Sequence, residues 1–162
     1  MDFLLYATEN PRNLGSIIRT SVGLGLTKIH LYDEHRILEN PEAAQQTDAV
    51  CRRNRRNYLD IVSVQNPIEF IDSYENKYAT LLSPRSKRLG ISDNNFEFAE
   101  DGLVIFGCES YGLPRAISRR DGVEKFVIPT VDTLECFGLA EAYSIIVFEC
   151  LRQHRKLPEY RK

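Results

Sequence analysis

The stretch Phe126-Val127-Ile128-Pro129-Thr130-Val131-Asp132-Thr133-Leu134-Glu135-Cys136-Phe137-Gly138-Leu139-Ala140 decides how the chain is read. An apolar run from Phe126 to Ile128 stops at Pro129 and a polar loop follows. Apolar residues then return at helical spacing in Leu139, Tyr143, Ile146 and Val147, so the spacing predicts strand, loop and helix, with the helix running to Glu149. A loop that leaves the carboxyl end of a strand carrying Gly and small residues is where an α/β sheet presents backbone groups to a ligand. The functional site is expected here.

Working outward, the same strand-loop-helix grammar recurs. Phe3 to Ala7 is a short continuous apolar run, suited to a buried strand, and the breakers Thr8-Glu9-Asn10-Pro11 follow it. Asn13 stands at the expected N-cap of a helix from about Leu14 to Leu24, whose apolar face is Leu14, Ile17, Ile18 and Val22 and whose end is marked by Gly23 and Gly25. Lys28 to Tyr32 supplies the next strand. The resulting βαβ unit favours a parallel sheet with a right-handed crossover, so the fold class is α/β. Further strands are expected at Ile61 to Val64, Tyr78 to Leu82 and Leu103 to Phe106, and helices at Gln45 to Asn57 and Pro67 to Tyr74. Gly107 to Pro114 reads as a Gly-bracketed turn entering a short helix. Two basic clusters stand out: Arg52, Arg53, Arg55 and Arg56 on the polar helix, and Arg85, Lys87 and Arg88 in a loop directly after a strand.

Composition sets the bounds. A chain of 162 residues that is 43% hydrophobic suits one domain, residues 1–162, with a full core. A net charge of −2 announces no nucleic-acid partner globally, so any basic partner-binding face must come from segregated charge. Cys51, Cys108, Cys136 and Cys150 form no CxxC pair and His is scarce, so reduced thiols and no metal site are expected. With no secretory leader pattern and no apolar run of bilayer length, the expectation is a soluble, cytoplasmic protein.

Three loops after expected parallel strands carry the most distinctive residues. Asn10, Asn13, Gly15 and Arg19 form Asn-x-x-Asn-x-Gly-x-x-x-Arg, Phe106 to Leu113 reads Phe-Gly-x-Glu-x-x-Gly-Leu, and the third loop opens with Ile128-Pro129. Together they resemble the SpoU/TrmH branch of the SPOUT RNA methyltransferases over Phe3 to about Gln153. The resemblance implies an α/β-knot: a parallel sheet flanked by helices, with residues of about 103–153 threaded into a C-terminal deep trefoil knot. It further implies a homodimer whose active site draws on both subunits, S-adenosylmethionine as cofactor, and a ribose 2'-hydroxyl of tRNA or rRNA as methyl acceptor. By position the cofactor would touch Leu82, Gly107, Ile128, Cys136 and Leu139. Arg19 matches the catalytic Arg, Asn13 the Asn preceding it, and Glu109 the Glu of the second motif.

Chemistry qualifies these roles. Guanidinium is effectively always protonated, so Arg19 is assigned first to holding phosphate and hydroxyl in place, with proton abstraction as the role the family proposes. Glu109 is expected to order its motif rather than to react. The basic clusters fit an RNA-backbone track as well as they fit solvated helix and loop faces. The third motif departs from the family: where Ser-Leu-Asn-x-Ser is common, this chain has Cys136-Phe137-Gly138-Leu139-Ala140, and Thr130 stands for the usual Met. Each lost polar group removes a hydrogen bond of about a kcal/mol net. Two functional classes therefore stand side by side, an active RNA 2'-O-methyltransferase and a weakened or inactive RNA-binding homodimer on the same fold. A methyltransferase with a nitrogen or carbon acceptor is a third.

Overall fold

A computed structural model describes residues 1–52, 57–83, 86–90, 96–134 and 136–159. Helix starts follow a repeated local device. Asn10-Pro11, Asn40-Pro41 and Asn66-Pro67 open α1 (Pro11–Gly23), α2 (Pro41–Cys51) and α3 (Pro67–Asp72), and in each the Asn side chain accepts from amides of the first turn. Pro is preset for the first helical position, where its missing N–H is no loss, and Asn satisfies donors that have no helical partner. The N-cap of α1 is therefore Asn10 rather than Asn13, whose side chain is engaged elsewhere. Likewise α2 begins before the expected Gln45 and ends at Cys51, because Arg52 adopts a left-handed conformation at φ +57°. Residues 53–56 of that expected helix lie outside the described residues.

The strands are β1 (Asp2–Tyr6), β2 (Lys28–Tyr32), β3 (Asp60–Ser63), β4 (Lys77–Thr80), β5 (Lys87–Arg88), β6 (Leu103–Phe106) and β7 (Val123–Val127), with α4 (Arg115–Ser118) before β7 and α5 (Leu139–Gln153) after it. They form a seven-stranded sheet in the order β3-β2-β1-β6-β4-β7-β5, and every pairing is parallel. Alternation along β1 and β6 explains why such sheets read as continuous apolar runs. Phe3, Leu5, Val104 and Phe106 join one buried cluster with Leu14 and Ile17 of α1 and Tyr143 and Ile146 of α5. Leu4, Leu103 and Ile105 point the other way, against Ile71 of α3 and Ile117 of α4. Each such buried Leu, Ile or Phe contributes about 1.5–3 kcal/mol of transfer free energy.

Two expectations shift at the β7 side of the sheet. Lys87 and Arg88 are not loop residues but the edge strand β5, paired with Phe126 and Val127. β4 ends at Thr80, short of the expected Leu82; Leu81 still donates to the Phe126 carbonyl at 2.9 Å, and then Leu82 leaves the sheet 62% exposed. Ile128 similarly lies one residue beyond β7. At its far end, α5 is tied to the connection that leads into β6: the Gln153 side-chain amide donates to the Phe96 carbonyl at 3.0 Å and accepts from the Phe98 amide at 2.9 Å.

Candidate active site

The carboxyl ends of β1, β4, β6 and β7, closed on one side by the start of α5, surround a cavity of about 980 Å³, at the upper end of the roughly 300–1,000 Å³ usual for small-molecule sites. Leu82, Gly107, Ile128, Cys136 and Leu139 all line it, and so do Asn13 and Glu109. Three loops distant in sequence therefore converge on one space because parallel strands place their carboxyl ends on one edge.

Two carboxylates lock the first loop to the second. Glu109 accepts from the Glu9 amide at 2.9 Å, the Asn10 amide at 3.3 Å and the Asn13 side-chain amide at 2.9 Å. Glu9 answers by accepting from the Ser110 amide at 3.2 Å and its hydroxyl at 3.0 Å. Hydrogen bonding from the Cys108 thiol, and then from Ser110, holds the Glu9 carboxyl below its ordinary range. This cross-over explains Asn13: it ties α1 to the Glu109 turn and leaves the helix cap to Asn10. Glu9 and Ser110 carried no recognised role in the sequence, although each adjoins a motif residue.

The Gly107 turn is shaped by backbone contact. A Cβ on Gly107 would lie 2.5 Å from the Gly112 carbonyl carbon and 2.8 Å from the Leu113 amide nitrogen. Its bareness thus serves the closing of the turn on itself, through paired 3.0 Å bonds between Cys108 and Gly112, ahead of any approach by a ligand. Gly112 itself sits at φ +66°, where a side chain is strained. Across the cavity, Gly138 caps α5 with no side-chain bond. The first amides of a helix have no partner within it, and Gly138 and Leu139 at this helix start line the cavity beside the apolar Leu82 and Ile128. Such a lining fits an adenosine-sized ligand held by apolar contact and backbone groups.

Among the described residues, one set of metal-type donors converges nearby: Glu9, His35 and Cys108 place ligand atoms within 4.8 Å of one another. His35 to Glu9 at 3.8 Å and the Glu9 hydrogen bonds account for that arrangement.

The remaining predicted residues are placed differently. Arg19 is exposed on α1 and does not line the cavity; it lies six residues beyond Asn13, about 9 Å along the helix axis. Arg52 is exposed at the end of α2, on the path to the edge strand β3, whereas Lys87 and Arg88 occupy β5 at the opposite edge. Lys87 pairs with Glu124. Arg53, Arg55, Arg56 and Arg85 lie outside the described residues.

The model of the SpoU rRNA Methylase family matches residues 1–148. A tRNA (cytidine(34)-2'-O)-methyltransferase of Beijerinckia indica is 26% identical over 151 residues, spanning 92% of this chain and 89% of that protein. The chain also superposes on the crystal structure of the A. aeolicus TrmH/SpoU tRNA modifying enzyme with a TM-score of 0.75 at 21% identity, covering 96% of this chain and 75% of that one. With an AdoMet-bound rRNA methyltransferase from Sinorhizobium meliloti the TM-score is 0.72 at 22% identity, over 93% of this chain and 55% of that one. Among the described residues, no helix is long and apolar enough to cross a membrane.

Proposed function

Because the chain belongs to the SpoU rRNA methylase family, we propose that it is an S-adenosylmethionine-dependent RNA methyltransferase acting on a ribose 2'-hydroxyl of tRNA. The observation that carries this reading is the convergence of Leu82, Gly107, Ile128, Cys136 and Leu139 with the Asn13–Glu109 pair on one cavity. The relatives named as tRNA 2'-O-methyltransferases supply the substrate class. Cytoplasm is the compartment where such a substrate is met.

S-adenosylmethionine, when bound, supplies a methyl group on a positively charged sulfur. The chain's own contribution is placement, which can account for much of such a rate gain. Leu82, Ile128 and Leu139 exclude water around the adenosine, and the amides at the start of α5 offer donors. Glu109 is a positioning residue: it holds Asn10 and Asn13 where an RNA backbone enters. Arg19 holds the 2'-hydroxyl and a neighbouring phosphate through its planar fork of donors. The altered third motif leaves the cavity formed, since Cys136 and Gly138 still line it and Ala140 is buried at the helix start.

Arg19 reaches RNA in the cavity of a second copy, so the working unit is a homodimer. Its exposure outside its own cavity supports this. Ile145 and Phe148 on α5 also stand in solvent, 36% and 48% exposed, and Thr20 next to Arg19 meets Ser144 next to Ile145 at 3.1 Å. Arg52 after α2 and Lys87 and Arg88 on β5 serve the RNA backbone, together with Arg53, Arg55, Arg56 and Arg85, their neighbours in sequence. We read residues 1–162 as one methyltransferase domain and about 103–153 as the deep trefoil knot of the family, a reading supported by the Gln153 bonds that tie the end of α5 to the connection into β6.

Calorimetric titration with S-adenosylmethionine, together with 2'-O-methyl profiling of bulk tRNA incubated with and without the protein, tests the function. Binding plus a new 2'-O-methyl position is expected. Absence of binding at millimolar cofactor would leave only the RNA-binding homodimer, and a mark on a base atom would replace the ribose acceptor.

A further inference from the structure

We propose a Zn²⁺ site on the wall of the main cavity, formed by Glu9, His35 and Cys108, one side chain from each of the loops that leave β1, β2 and β6. It stands apart from the methyl-transfer reading, and its test needs neither RNA nor S-adenosylmethionine.

β2, β1 and β6 are successive strands of the sheet, so residues 9, 35 and 108 meet although the chain separates them widely. That scatter hides the site from any pattern of closely spaced ligands. A carboxylate oxygen of Glu9, a ring nitrogen of His35 and the Cys108 sulfur all lie within 4.8 Å of one another, and Nε2 of His35 stands 3.8 Å from Oε1 of Glu9. Ligand atoms about 2.0–2.3 Å from one tetrahedral zinc are roughly 3.3–3.6 Å apart. Small side-chain rotations therefore close the trio on a single ion.

The bonds that account for this arrangement leave room for a metal. Glu9 takes the Ser110 amide on Oε2 and the Ser110 hydroxyl on Oε1, and a carboxylate has about four lone-pair sites. Neutral His35 has one acceptor nitrogen, and Cys108 becomes a ligand by losing to solvent the thiol proton that it now donates to Glu9. Each ligand is also braced from behind, as metal ligands usually are. Ser110 orients Glu9, and paired backbone bonds of 3.0 Å join Cys108 to Gly112. Tyr111 of the same turn donates to Glu34 at 2.9 Å, tying down the residue before His35. Asp33 fixes that loop further by accepting from the Ile37 and Leu38 amides at 2.8 and 3.0 Å. Entry is open from two sides: Glu9 and Cys108 line the main cavity, and the His35 side chain is 36% exposed.

The donor set selects the ion. One thiolate, one imidazole and one carboxylate suit Zn²⁺, with water in the fourth position, whereas Mg²⁺ and Ca²⁺ take oxygen ligands. Because Oε2 of Glu9 keeps the Ser110 amide, the ion straps the β2 loop onto the Glu9–Glu109 clasp without undoing it.

Zinc chloride titrated into the full chain should bind at about one ion per chain with a Kd in the micromolar range or tighter, and buffers of different ionisation enthalpy should report release of about one proton. Cobalt(II) should give a sulfur-to-metal charge-transfer band that Cys108→Ser abolishes and Cys136→Ser leaves in place. His35→Ala, at an exposed position, should weaken zinc binding at least about tenfold with circular dichroism unchanged. X-ray absorption on the wild-type zinc complex, which needs no variant, should show one sulfur among nitrogen and oxygen ligands. No binding at about 100 μM zinc, a charge-transfer band that survives in Cys108→Ser, full zinc affinity in folded His35→Ala, or a ligand shell without sulfur would each overturn the site.

Discussion

Glu109 shows how one carboxylate can tie two loops together. It accepts three bonds from residues roughly a hundred positions away, and removing it strands three donors at an exposed junction. Glu109→Ala is therefore expected to cost about 2 kcal/mol, lowering the melting temperature by about 4–8 °C, and to raise the KM for RNA; differential scanning calorimetry and initial rates check this. Arg19→Ala should reduce methyl transfer at least about a hundredfold, a loss of roughly 2.7 kcal/mol of transition-state stabilisation, and leave cofactor affinity within a few fold in calorimetry, because the role proposed for Arg19 is toward the acceptor and it does not line the cavity. Equal loss of both would remove that role. Glu9 adds a pH dependence. Its folded carboxyl titrates below the ordinary 4.5, so its stabilising effect is complete above that value and is lost as pH falls through the folded one. Urea midpoints of wild type and Glu9→Gln should differ near neutrality and converge in acid.

At the scale of elements, the repeated Asn-Pro start is the most legible device in the chain. Asn40→Ala removes acceptors for the Glu42 and Ala43 amides, at 3.0 and 3.2 Å, and is expected to cost about 1 kcal/mol, seen as a lower urea midpoint with unchanged slope. That signal was written in the sequence at Asn40-Pro41, yet a weak apolar pattern after it moved the expected helix several residues downstream. Asn13 misled for the opposite reason: it has the chemistry of a cap and stands before an apolar stripe, but a long-range partner, Glu109, claimed it. Gly15 and Gly107 matter through contacts no local pattern shows. A Cβ on Gly15 would meet the Thr47 carbonyl oxygen at 2.6 Å, where α1 and α2 press together.

For the whole molecule, the face of α5 that carries Ile145 and Phe148 tests the assembly. Phe148→Asp should convert a dimer to a folded monomer in analytical ultracentrifugation and abolish methyl transfer while sparing the fold by circular dichroism. Mixing Arg19→Ala with a Gly107→Ala chain, whose cavity-lining turn can no longer close on itself, should restore partial activity if each site takes its Arg19 from the partner; no recovery in a proven heterodimer would place Arg19 in its own site.

Sequence by itself determined the parallel α/β class, the order of most of its elements and the three motif-bearing loops, because apolar runs, breakers and helical spacing are local properties. Leu82, Gly107, Ile128, Cys136 and Leu139 were each singled out by their positions in the family resemblance. Only the tertiary structure decided that these five meet in one cavity, that Glu9 and Glu109 clasp each other's loops, that Lys87 and Arg88 form an edge strand, and that Arg19 faces away. Those facts depend on the strand order β3-β2-β1-β6-β4-β7-β5, which joins residues a hundred positions apart through hydrogen bonds that no short stretch of chain can specify.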